Sequence, residues 1–149
     1  MMKTWRCALI VAAAISFLPV AGTADDAKSL YERLGGKPAI QAVASDLVDR
    51  ILADRRVNGW FSHAAASPQN TDGYKAKLAD FLCQSAGGPC QYAGRDIVSA
   101  HQGRGVTSDA FNAVVEDLVA TLDKFKVPQK EKTDVLNFVA GLKSSIVQK

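Results

Sequence analysis

The sequence predicts an all-α domain, on three observations. Apolar residues recur at helical spacing through four long stretches, no stretch sustains the alternation of a strand, and glycine pairs punctuate the chain between periodic stretches. The 149 residues are 48% hydrophobic and 22% charged with five prolines, which suits one globular core and excludes a disordered or collagenous chain. No internal repeat is present.

The first stretch, MMKTWRCALIVAAAISFLPVAGTADD, is set apart from that core. Lys3 and Arg6 form a basic start, Cys7 to Val20 an apolar run containing Pro19, and Gly22-Thr23-Ala24 offers small residues to a signal peptidase. The run is shorter than the roughly 20 residues of a spanning helix. The expectation is a signal peptide over residues 1–24, cleaved after Ala24, and a domain over residues 25–149. It places the mature protein in the periplasm or outside the cell with no stable membrane insertion. Cleavage removes two basic residues and no acid, so the net charge falls by two from +3. A near-neutral domain lacks the basic stripe that releases phosphate counterions, which excludes nucleic acid as a partner.

A short helix is expected around Ser29 to Leu34, ended by Gly35-Gly36. In Lys37–Asp54 the residues Ile40, Val43, Ala44, Leu47, Val48, Ile51 and Leu52 form one helical stripe, and Pro38 suits its first turn. Tyr74, Leu78, Phe81 and Leu82 mark a helix between Asp72 and Ala86, closed by Gly87-Gly88. The glycine-rich connection from Pro89 to Thr107 leaves room only for about two helical turns, over Arg95 to His101. Thr107 or Ser108 caps the next stripe, Phe111, Val114, Val115, Leu118, Val119, Leu122 and Phe125. Val127-Pro128 separates it from a last helix whose face is Val135, Leu136, Val139, Leu142 and Ile146.

Two features carry chemistry. Cys83 and Cys90 remain after cleavage, and Ala86-Gly87-Gly88-Pro89 between them lets the chain fold back. A disulfide is one reading; one buried small hydrophobe plus one surface thiol is the other. The second feature is SAHQGRGVTSDAF, where His101 ends the short segment with Ile97 four residues before it on the same face. A dedicated metal site needs three or four protein ligands, but His63 is the only other histidine. No Gly-x-Ser-x-Gly nucleophile pattern occurs. Haem needs one protein ligand, because the porphyrin supplies four nitrogens, so haem is the metal group that a lone histidine suits best. A packed core histidine is the alternative.

SLYERLGGKPAIQAV from Ser29, ILADRRVNGWF ending at Phe61, GGP at Gly87 to Pro89 and AHQGRGVTSDAF together resemble a truncated haemoglobin of the first group. The likeness spans about Ser29 to Val147. It implies a two-over-two helical sandwich around haem b, with His101 as proximal iron ligand and Phe61 flat on the haem. It implies Lys77 at a haem propionate, against the reading of a solvated surface lysine, and Ile97, Phe111 and Val115 on the proximal and rear walls. On the distal side the sequence departs from the family. Val48 stands where the family often has an oxygen-binding tyrosine, and Leu78 where it often has a glutamine. Tyr74 occupies a neighbouring distal position, either over the haem or turned to water. Ser62 to Gly73 is about five residues longer than in short members, and His63 within it is a sixth ligand or a surface residue.

The resemblance implies reversible binding of a diatomic gas (oxygen, nitric oxide or carbon monoxide) for storage or delivery. The alternative is an enzyme that oxidises nitric oxide or turns over peroxide. The enzyme would need a separate electron-donor reductase, because no flavin or nicotinamide motif occurs in these residues.

Overall fold

The computed structural model describes residues 27–149, and their regular structure is helical throughout. The expected leader lies outside the described residues. Helix α1 (Leu30–Arg33) starts in a capping box: Ser29 Oγ accepts from the Glu32 N–H, and the Glu32 carboxylate accepts from the Ser29 N–H at 2.8 Å. Gly35 and Gly36 follow at φ of 95° and 74°, left-handed backbone that two side-chain-bearing residues would resist. The turn starts α2 (Gly36–Ala53), which buries Ile40, Ala44, Leu47, Val48 and Ile51.

A 3₁₀ turn (Asn58–Phe61) leads into α3 (Ser62–Ala65) and α4 (Pro68–Ser85). Much of Ser62 to Gly73, the segment longer than in short members of the family, is therefore helical. Ser67 caps α4 by accepting from the Asn70 N–H at 3.1 Å, and Pro68 takes the first position, where no donor is needed. Helix α5 (Ile97–His101) is shorter than the expected segment, because Asp96 is its cap and accepts from Ser99 N–H at 2.9 Å. Helix α6 (Ser108–Lys124) is capped by Thr107. Phe125, expected on the apolar stripe of α6, lies beyond its end and is 40% exposed. The expected last helix divides at Leu142 into α7 (Gln129–Gly141) and α8 (Lys143–Ile146).

Helix α2 packs most extensively on α4 and next on α6, while α6 meets α7. The main core runs through Leu47, Ile51, Val57, Ala113, Leu118 and Leu122. Polar ties cross between helices. Asp46 of α2 accepts from Arg50 at 2.7 Å, from the buried Thr121 hydroxyl at 3.0 Å and from Lys124. Burial raises the Asp46 pKa, but these donors outweigh it and hold the carboxyl down to about 2. Arg33 of α1 bridges Glu131 and Asp134 of α7, each at 2.6 Å.

Cys83 and Cys90 form a disulfide with Cα atoms 5.8 Å apart. It joins the end of α4 to the connection leading into α5. Gly88 makes the close approach possible: a Cβ there would lie 2.4 Å from the Tyr31 ring and 2.7 Å from Cys83 Sγ. Mass spectrometry of unreduced protein expressed in an oxidising compartment should find one intramolecular link and no free thiol. Replacing both cysteines with serine should cost about 2 to 3 kcal/mol in denaturant unfolding by the loop-entropy estimate. Two free thiols in the unreduced sample would contradict the bond.

Candidate functional site

His101 is the last residue of α5 and is half-buried. Its Nδ1 lies 2.7 Å from the Ile97 carbonyl oxygen. A carbonyl only accepts, so Nδ1 carries the proton and Nε2 keeps its lone pair. That is the tautomer an axial metal ligand requires, set by a partner on its own helix. Two left-handed glycines, Gly103 at φ 75° and Gly105 at φ 63°, then reverse the chain.

Trp60 ties this reversal to the 3₁₀ turn carrying Phe61. The indole N–H donates to the Arg104 carbonyl at 3.1 Å. Phe61 in turn meets Tyr74 of α4 edge to face, with ring centroids 5.8 Å apart at 72°. Burial pushes the Tyr74 phenol up to about 12; the Tyr92 phenol adds to the rise and the Arg104 guanidinium opposes it. Tyr74 is a neutral hydrogen-bond donor at any physiological pH, and its hydroxyl makes no hydrogen bond to a described residue. Tyr74, Lys77 and His63 also line one pocket of about 180 Å³ at the α3–α4 junction. Lys77 and His63 are both exposed.

Leu78, one turn after Tyr74, is half-buried against the main core, and Ile97 and Val115 are half-buried as well. Phe111 is 7% exposed, with Lys143 Nζ 5.6 Å from its ring centre. Val48 is fully buried. A larger apolar cavity of about 210 Å³ lies between α1, α2, α4, α6 and α7, and none of the candidate residues lines it. Sequence reasoning passed over Trp60, Tyr92 and Arg104. An indole beside Phe61 signals a need for an acceptor, but its partner lies 44 residues away. Tyr92 packs edge-on to Phe81 at 5.3 Å and donates to the Arg95 carbonyl.

These residues fit a group that brings its own equatorial donors. Among the described residues no three His, Cys, Asp or Glu side chains gather to hold a metal. There is one imidazole whose Nδ1 is tied and whose Nε2 is left over, on a short helix that begins at the half-buried Ile97.

Two helix pairs, α2 with α4 and α6 with α7, and a single anchored histidine on a short helix define the globin class. The family model described as bacterial-like globin matches residues 29–148. The chain is 32% identical over 118 residues to a group 1 truncated haemoglobin of Mycolicibacterium paratuberculosis, which is 79% of this chain and 83% of that one. A truncated haemoglobin structure from Tetrahymena pyriformis, in the Fe(III) form, superposes with a TM-score of 0.73. It is 28% identical and covers 82% of this chain and 100% of its own. The 2/2 haemoglobin of a Synechococcus species, in the cyanomet state with covalently attached haem, superposes with a TM-score of 0.65. It is 32% identical and covers 76% of this chain and 91% of its own. The chain belongs to the bacterial-like globins, within the group 1 truncated haemoglobins.

Proposed function

We propose that this globin holds haem b through His101 Nε2 and binds a diatomic gas reversibly. The observation that carries it is the hydrogen bond from His101 Nδ1 to the Ile97 carbonyl, which presents Nε2 as a ligand in a chain of this family. Haem supplies the equatorial nitrogens and the iron at which a gas binds. Phe61 would pack against the haem and Lys77 would pair with a propionate. Leu78, Ile97, Phe111 and Val115 would supply apolar wall that excludes water, and Tyr74 would donate a hydrogen bond to the bound gas. The resemblance and the half-buried state of Phe61, Leu78, Ile97 and Val115 support these roles.

The basic start, apolar run and small residues of positions 1–24 support export and a periplasmic or secreted location. The alternative reading, an enzyme that oxidises nitric oxide or turns over peroxide, would need a separate reductase as electron donor. Absorption spectra of the reduced protein in air and under carbon monoxide test the proposal. One equivalent of haem should bind, and its Soret band should shift with each gas and return when the gas is removed. A protein that takes up no stoichiometric haem would overturn the reading.

A further inference from the structure

The end of the described chain folds back onto the segment that follows His101. The Gln148 side chain makes two bonds there: Nε2 donates to the His101 carbonyl at 2.8 Å, and Oε1 accepts from the Gly105 N–H at 2.9 Å. Its backbone N–H donates to the Val106 carbonyl at 2.8 Å. Helix α8, just before it, packs on α5.

The need for such a clasp follows from the length of α5. Five residues hold too few internal hydrogen bonds to offset the cost of nucleating a helix, so tertiary contacts must hold it. The carbonyl of its last residue has no helical partner; it accepts from the Arg104 N–H at 3.1 Å across the reversal and keeps a second lone pair for another donor. The left-handed Gly103 and Gly105 swing the chain away, and the Gly105 N–H is left to find an acceptor outside the reversal. One primary amide serves both, as second donor to the His101 carbonyl and as acceptor for the Gly105 N–H, because it carries a donor and an acceptor side by side.

We propose that Gln148 is a positioning residue for His101: its amide bridges the histidine's carbonyl and the Gly105 N–H, and thereby sets the angle at which the imidazole meets the iron. This rests on the ligation by His101 proposed above. Gln148 itself touches neither haem nor gas. It acts through the backbone of residue 101, while Ile97 fixes the ring's tautomer.

The test compares the parent, Gln148→Ala and Gln148→Glu as full-length chains. Gln148→Glu keeps an acceptor for Gly105 but sets a carboxylate oxygen against the His101 carbonyl. Two readouts are used: amide exchange at Gly105 in the haem-free protein, and the iron–histidine stretching band of the reduced, gas-free protein by resonance Raman. Gln148→Ala should exchange Gly105 about fivefold faster, as loss of one hydrogen bond implies, and Gln148→Glu close to the parent rate. The stretching band should move and broaden in both variants. Faster exchange with an unmoved band would make Gln148 a structural clasp only, and an unmoved band with unchanged exchange would remove the clasp itself; either overturns the inference. A parent without a Soret band overturns the ligation, and that is visible before any variant is compared.

Discussion

His101→Ala is expected to abolish stoichiometric haem uptake, and added imidazole is expected to restore it. The chain holds two histidines; His101 is half-buried with its Nδ1 held by the Ile97 carbonyl, whereas His63 is exposed. Loss of an outer-shell partner of a metal ligand already costs about 10–100-fold in affinity, so loss of the ligand itself should exceed a hundredfold. The substitution should leave the helices intact. His101 ends a five-residue helix; the variant loses the ring's bond to the Ile97 carbonyl but keeps the backbone–backbone bonds from Ala100 to Asp96 and from Gln102 to Val98. Truncation opens a space the size of the lost ring, which free imidazole can fill. Haemin titration of the apoprotein followed at the Soret band, with and without imidazole, makes the comparison. His63→Ala is the control: His63 is exposed on α3, and its removal should leave the spectrum as it was. A parent-like spectrum in His101→Ala would move the iron ligand elsewhere.

The parts legible in the sequence were those set by local periodicity and by ordered motifs. The stripe from Ile40 to Ile51 reads out because one face of α2 is buried along its length, and burial imposes the 3.6-residue spacing. The start of α4 is marked by Ser67-Pro68, a cap followed by a residue that suits the first helical position, but the apolar stripe begins only at Tyr74, so periodicity alone starts the helix late. The break at Leu142 left no comparable mark. Val135, Val139, Leu142 and Ile146 keep helical spacing across it, because both short helices face the same core.

Phe125 continued the spacing of α6 yet lies past its last turn, where the chain turns toward Pro128 and the ring meets solvent. The candidate site divides along the same line. His101 and Ile97 are four residues apart, so one helical turn brings ring and carbonyl together. The bonds from Trp60 to Arg104 and from Gln148 to His101 join residues 44 and 47 apart. Each is made by one polar side chain to a backbone group, a contact that leaves no periodic trace.

Tyr74→Phe is expected to speed oxygen release about ten- to thirtyfold while leaving haem affinity nearly unchanged. The distal side otherwise offers little to a polar ligand: Val48 is buried and apolar, and Leu78 is apolar. Tyr74 stands one turn before Leu78, braced edge-on by Phe61, with a hydroxyl that donates to no described residue. A phenol withdrawn from most water gains from an acceptor, and a gas ligand in the site would be one. Loss of that bond, at about 1.4 to 2 kcal/mol, gives the stated change in rate. The phenylalanine keeps the ring contact with Phe61, so the pocket keeps its shape. Carbon monoxide, less polarised than oxygen in such a site, should respond less. Because burial raises the phenol to about 12, the hydroxyl stays protonated through neutral and mildly alkaline solution, and the parent's oxygen release should be flat from about pH 6 to 9. Stopped-flow oxygen and carbon monoxide release from parent and variant over that range, with a haemin titration of each apoprotein, make the comparison. Equal rates would mean that Tyr74 turns its hydroxyl to the pocket it shares with His63 and Lys77. The gas would then sit among apolar side chains alone, with a fast release that suits transient binding better than storage.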